Sequence, residues 1–320
     1  HCTHCDESWY SYHSWSNRHC PKCQQDAAQA WLEKQQNLLL SAPYFLVTFT
    51  LPQPLRPLAR TAQKTVYNLL FRAAAQSLQQ LALDPRFVGG QIGMVGILQT
   101  WTRDLRYHPH VHFLVPGGGL STDGQHWLRA RNHFFVHVKP LSRLFRGKLR
   151  DGLRKEGILS QLSDETWRQD WVVDCRPVGK GETALKYLAP YVFRVALSNK
   201  RILIVQDGLV TFRYQNGETK RQRTCTLLAE AFIHRFLQRG AHWALPKGFV
   251  KVRYYGLLAP GNRKRLAQAK QLLGMRIDVG DEPQPTDADS PEDNEAVTCP
   301  HCGQPMTVMQ RIQPRARCPP

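Results

Sequence analysis

The chain has 320 residues, 42% of them hydrophobic, enough for one large domain with appendages or two ordinary ones. Its net charge of +18 is uneven: residues 278–320 hold eight acids and three bases, so the positive surplus lies in the first 277 residues and suits a phosphate polymer as partner. No stretch reaches the roughly 18 continuous apolar residues of a membrane span and no charged-then-apolar leader opens the chain, which points away from membranes and towards the cytoplasm.

Six of the nine cysteines fall into three Cys-x-x-Cys pairs, a pattern that in a reducing compartment favours metal over disulfides. Cys2, Cys5, Cys20 and Cys23 make two knuckles joined by a loop of fourteen residues, so four thiolates can surround one structural Zn2+ tetrahedrally. A closed site of this kind has no open position for substrate. Its role would be to hold Trp9, Tyr10, Tyr12 and Trp15 in a basic module able to stack on bases. Apolar residues recur at helical period from Gln25 to Leu40, making residues 1–40 a zinc-binding module with a linking helix.

Tyr44 to Thr50 is a β-branched and aromatic run ended by Pro52, which predicts a buried strand. Residues 57–83 read as one long amphipathic helix that stops before Asp84-Pro85. Gly93 to Trp101 is a second strand, and Val111–Val115 a third, closed by Pro116 and three glycines. On that third strand His110 and His112 share a face while Val111 and Phe113 enter the core, so the two imidazoles can hold one divalent ion. His108 has the same parity, but Pro109 marks the strand's entrance and sets His108 off the regular face. Gln99, on the preceding strand, offers an amide oxygen as third ligand, a donor suited to Mg2+ or Mn2+.

The helix expected at 140–156 is strongly basic, which fits either an ordinary solvated face or contact with a DNA backbone. A further helix beginning near Glu182 carries Tyr187 and Tyr191, four residues apart and so on one face. Two readings are open: both rings pack beneath the sheet, or the phenols are nucleophiles. A phenol with a pKa near roughly 10 attacks poorly unless a cation or base stands beside it. Lys186, Arg194 and Lys200 could provide positive charge and contact DNA. Pro190 removes one helical donor and crowds the carbonyl of Lys186, so the phenols need not align as in an ideal helix.

Beyond Asn199 the sequence predicts hairpins turning at Asp207-Gly208 and Asn216-Gly217, then a helix from Thr226 to Gln238. Residues 41–260 thus read as the main domain. Residues 261–298 pass from a basic segment into an acidic linker, expected to be disordered because 278–295 contain no Lys or Arg and many Pro, Asp and Glu. Residues 299–320 form a cysteine-containing tail. There Cys299, Cys302 and Cys318 are candidate ligands of a second zinc, with His301 as a fourth.

Three segments carry a family resemblance: Tyr107 to Gly119 (YHPHVHFLVPGGG), Tyr187 to Ser198 (YLAPYVFRVALS) and Leu245 to Gly256 (LPKGFVKVRYYG). In this order they resemble the two-tyrosine HUH transposases of the insertion sequence 91 family, and Arg18 to Cys23 (RHCPKC) resembles their zinc-binding segment. The resemblance covers nearly all of the chain outside the acidic linker. It implies an α+β fold, an antiparallel sheet flanked by helices with the HUH strand central. It also implies cleavage of single-stranded DNA by a tyrosine that retains the 5′ phosphate, as in rolling-circle-like transposition. By match, His110 and His112 would be the metal ligands and Tyr187 and Tyr191 the nucleophiles. The same site could serve a plasmid replication initiator or relaxase, and a decayed site would leave a zinc-dependent nucleic-acid-binding protein.

Overall fold

The computed structural model describes residues 1–8, 21–131, 133–183, 185, 192, 197, 201–215, 219, 221–240, 245–246, 248–275, 298–299 and 301–307, with backbone alone at 21–28 and 237–240. Two compact units emerge, one of His1–Ser14 with Asp278–Pro320 and one of Trp15–Ile277. The first unites segments from the two ends of the chain, whereas spacing along the sequence groups 1–40 apart from 299–320.

The larger unit is an α+β arrangement built on a five-stranded sheet. Its strands are β1 (Pro43–Thr50), β2 (Gly93–Trp101), β3 (Tyr107–Pro116), β6 (Val173–Lys180) and β10 (Val252–Gly256), in the order β10-β2-β3-β1-β6. Every pairing is antiparallel, and β3, the strand of His110 and His112, is central. Two short strands, β4 (Gly118–Leu120) and β5 (Trp127–Arg129), pair with each other beside it.

Side-chain alternation divides the sheet into two unlike faces. Phe45, Val47 and Phe49 of β1 and Val111, Phe113 and Val115 of β3 point to the larger core. There they meet two helices, α3 (Gln63–Ala82) and α4 (Val138–Lys155), through contacts such as the edge-on packing of Phe49 against Phe113 and Phe145. Each fully buried aromatic of this kind contributes about 1.5–3 kcal/mol relative to exposure. The opposite face carries a smaller cluster, Tyr44, Leu46, Val95, Ile97, Leu114 and Leu185, against which Trp31 and Leu32 of α1 (Pro21–Gln36) and Val192 pack. His110 and His112 have the parity of Leu114 and so belong to this second face.

The helix expected over 57–83 is interrupted. A short helix, α2 (Arg56–Thr61), ends where Ala62 leaves helical geometry at φ −117° and ψ 49°, and α3 starts afresh at Gln63. The basic helix α4 buries Leu141, Phe145, Leu149 and Leu153, and its charged face turns outward, where Arg154 and Lys155 pair with Asp151. It therefore lies across the sheet from the histidines. A third sheet, β7 (Ile202–Gln206), β8 (Leu209–Gln215) and β9 (Gln222–Leu228), precedes the helix Ala229–Gly240. The expected turn at Asp207-Gly208 is present with φ of 50° and 72°, the two left-handed residues of a type I′ hairpin. The helix expected from Thr226 begins at Ala229 instead, because Thr226 to Leu228 complete β9. Asn216-Gly217 and the segment 278–295 lie outside the described residues. Among the described residues, no helix is long and apolar enough to cross a membrane.

Gly256 closes the edge strand with φ +58°, and a Cβ there would run into the carbonyl oxygen of Ile92. That oxygen also accepts the N–H of Leu257, so it cannot move away freely. Gly256→Ala is expected to lower unfolding stability by roughly 2–4 kcal/mol. Gly261→Ala, with open space around the added methyl, should stay within about 0.5 kcal/mol of the parent, both read by urea denaturation.

Candidate metal centre

The register of the sheet assembles the centre. Thr50, His110 and Gln99 face one another across β1, β3 and β2, and Thr48, His112 and Ile97 form the next row. His110 and His112 are 9% and 8% exposed, so the rings sit at the floor of the face with little access to water. Gln99 Oε1 lies 2.9 Å from His110 Nε2 and 3.2 Å from His112 Nε2. Two cis ligands of an octahedral ion at about 2.1 Å are roughly 3 Å apart, so these two separations match two edges of a Mg2+-like or Mn2+-like octahedron.

A hydrogen bond behind His110 sets which of its nitrogens carries the proton. His110 Nδ1 is 2.6 Å from the carbonyl oxygen of His108, which can only accept, so Nδ1 carries the proton. Burial holds His110 down to about 4 and His112 well below the usual histidine value, so both rings are neutral near pH 7. His110 Nε2 therefore presents a lone pair to the oxygen of Gln99. A cation between them relieves that opposition; without one, half a turn of the amide presents its NH2 instead. His112 Nδ1 is 2.8 Å from Thr48 Oγ1, and when the ring donates to that hydroxyl the His112 Nε2 lone pair is turned towards Gln99 as well. The donor set thus fits a divalent cation held by Gln99, His110 and His112.

His108 is committed elsewhere. Its Nδ1 accepts from the Arg56 guanidinium at 2.7 Å, and burial, followed by the charges of Arg56 and Arg106, lowers it to about 4. Thr48 and the His108 carbonyl were not singled out by sequence. The available signal was the hydroxyl at 48, which breaks the apolar run of Tyr44 and Leu46 on the same face. Arg176 of β6 shares the row of Leu46 and Leu114, close enough for its charge to bear on His112. Tyr187, Tyr191, Lys186, Arg194 and Lys200 lie outside the described residues. Their neighbours Leu185 and Val192 both pack on the histidine-bearing face, and Lys251 Nζ donates to the Val192 carbonyl at 3.3 Å. A depression of about 620 Å3 whose lining includes Lys64, Arg72 and Arg253 is on the helix-covered side.

In the smaller unit Cys2 and Cys5 meet Cys299 and Cys302, all four sulfurs lying within 4.8 Å of one another. Cys20, Cys318 and the side chain of Cys23 lie outside the described residues. The backbone N–H of Cys5, opposed by burial and aided by that of His4, holds the Cys2 thiol down to about 6.

Known proteins match along the same segments. Residues 93–266, more than half of the chain, fit the family described as "Putative transposase", and residues 1–51 fit the transposase zinc-binding domain of the IS91 type. The chain belongs to the IS91-type transposase family. The transposase is 39% identical to y4qJ of Sinorhizobium fredii (strain NBRC 101917 / NGR234), named as a "Putative transposase", over 96% of this chain and 83% of that protein. It is 30% identical to the transposase for insertion sequence element IS801 of Pseudomonas savastanoi pv. phaseolicola, over 76% of this chain and 60% of that one. Among solved structures, a complex of the conjugative relaxase TrwC with mutant OriT DNA matches 34% of this chain and 44% of its own, at 20% identity and TM-score 0.29.

If Thr48 orients His112, Thr48→Val keeps the shape of the side chain but removes the acceptor. Calorimetric titration should then show Mn2+ affinity reduced by about 10–100-fold. Unchanged affinity would show that Thr48 does not orient the ring.

Proposed function

We propose that this transposase cleaves and rejoins single-stranded DNA through a 5′-phosphotyrosine, with Tyr187 and Tyr191 as nucleophiles and Gln99, His110 and His112 holding Mg2+ or Mn2+. What carries the reading is the convergence of Gln99 Oε1 with His110 and His112 Nε2 on the central strand. The interval containing both tyrosines is bounded by Leu185 and Val192, which pack on that same face.

A divalent ion there would neutralise the scissile phosphate and polarise it towards in-line attack. The chain's own work is then positional. The carbonyl of His108 would keep His110 in the tautomer that turns its Nε2 lone pair to the ion, and Thr48 Oγ1, 2.8 Å from His112 Nδ1, would orient the second ring. A tyrosine Oη attacks phosphorus and loses its proton to solvent, while the bond from phosphorus to the 3′ oxygen breaks. That oxygen takes up a proton to become a 3′ hydroxyl, and the 5′ phosphate stays on the phenol. Rejoining is the reverse step, a 3′ hydroxyl displacing the tyrosine. Two phenols would let two strand ends be held in succession. The positive surplus outside residues 278–320 suits the DNA backbone, and in-line attack on an accessible phosphate favours a single strand over a duplex. A plasmid initiator could use the same chemistry, but family membership favours transposition. Lys186, Arg194 and Lys200, beside the tyrosines in sequence, would supply further phosphate contacts.

Incubating the protein with single-stranded fragments of the element's ends and Mg2+ should give a covalent adduct. Tyr187→Phe and Tyr191→Phe should each impair complete transposition, while at least one single variant still forms the adduct in a one-cut assay. An adduct that persists in the double Phe variant would remove both tyrosines from the mechanism, and peptide mass would locate the modified residue.

A further inference from the structure

The two cysteine pairs of the smaller unit are built alike although they stand at opposite ends of the sequence. Each reads Cys-x-His-Cys: Cys2 to Cys5, and Cys299 to Cys302. In each, the residue after the second cysteine takes a left-handed backbone, Asp6 at φ 58° and Gly303 at φ 72°. The N–H of the first cysteine in each pair donates to the carbonyl five residues on, Cys2 to Glu7 at 2.8 Å and Cys299 to Gln304 at 2.7 Å. The first cysteine is buried and the second half-buried in both. These are two copies of one knuckle, with all four sulfurs turned to a common point.

The sulfur geometry fits a tetrahedral ion. Cys2 Sγ is 3.4 Å from Cys302 Sγ, and Cys5 Sγ is 3.6 Å from Cys299 Sγ. Zinc–sulfur bonds of about 2.3 Å in a tetrahedron set the sulfurs roughly 3.8 Å apart. Both of these separations run between the knuckles, so an ion at this point joins the two segments. Backbone pairing reinforces the junction, since the N–H of Thr307 donates to the carbonyl of His1 at 2.9 Å.

We propose that Cys2, Cys5, Cys299 and Cys302 together hold one Zn2+, so that the carboxy-terminal knuckle completes the amino-terminal zinc module and the metal closes the chain upon itself. This goes beyond the zinc-binding match, which ends at residue 51. It also differs from a site made of Cys2, Cys5, Cys20 and Cys23, and from a separate second zinc at Cys299, Cys302 and Cys318. It does not depend on the tyrosine chemistry. With ligands 294 residues apart, occupancy of the site and retention of the terminal segment become one event.

The test uses the full chain with a protease site introduced between residues 278 and 297. After cutting, the carboxy-terminal fragment should stay with the remainder on gel filtration in Zn2+ and leave when the metal is chelated. Uncut C299S/C302S protein should contain one zinc fewer per chain and, charged with Co2+, lose the thiolate-to-metal charge-transfer band of this site. C318S should keep both. Unchanged zinc content in C299S/C302S, or departure of the cut fragment while the remainder keeps its full zinc, would overturn the proposal. Because the cutting experiment needs no cysteine substitution, a folding defect in the variants leaves it intact.

Discussion

The bond from His110 Nδ1 to the carbonyl of His108 is the contact on which the candidate site turns. A carbonyl oxygen cannot donate, so this 2.6 Å bond fixes the proton on Nδ1 and turns the lone pair of Nε2 towards Gln99. Pro109, between the two histidines, lacks an N–H, and its own carbonyl is taken by Leu51. The local chain therefore supplies the orienting acceptor without help from a distant side chain. His112, two residues on, relies on Thr48 of the adjacent strand instead. The two rings of one motif are thus oriented by different parts of the fold, which makes the centre sensitive to the register of β1 against β3.

That register is secured from the other side of the sheet. A slip of one residue would send Phe49, Val111 and Phe113 out of the main core and the histidines into it, exchanging apolar burial for buried imidazoles. The packing of α3 and α4 on the back of the sheet therefore holds the chemical face in place without touching it. With both main helices behind the sheet, α1, Leu185 and Val192 pack on the front, so the histidines sit beside the smaller of the two clusters.

Much of this was legible in the sequence, because β2 and β3 carry their signal in alternation. His110 and His112 opposite Val111 and Phe113 specify a face, and the place of Gln99 beside His110 follows once β2 is paired antiparallel to β3. The central place of β3 was implied by resemblance rather than by periodicity. Strand β6 was not legible: it contains Pro177 and alternates half-buried with exposed residues, a composition tolerated because it lies at the sheet's edge. The break at Ala62 left no mark either, since Arg-Pro-Leu-Ala-Arg-Thr and the residues after it keep a helical apolar period across the interruption. The meeting of Cys2 with Cys302 was hidden for another reason. Spacing rules favour ligands that are near in sequence, whereas these knuckles are joined through the fold, and only their shared Cys-x-His-Cys pattern hinted at a common role.

We place one divalent ion between Gln99 and the two imidazoles. Electron spin-echo modulation of Mn2+ bound to the full chain, with and without 15N-labelled histidine, measures it most directly. Two histidine nitrogens should couple to the ion in the parent, one in His110→Ala and one in His112→Ala. Coupling to no histidine nitrogen, or coupling that both substitutions leave unchanged, would contradict it.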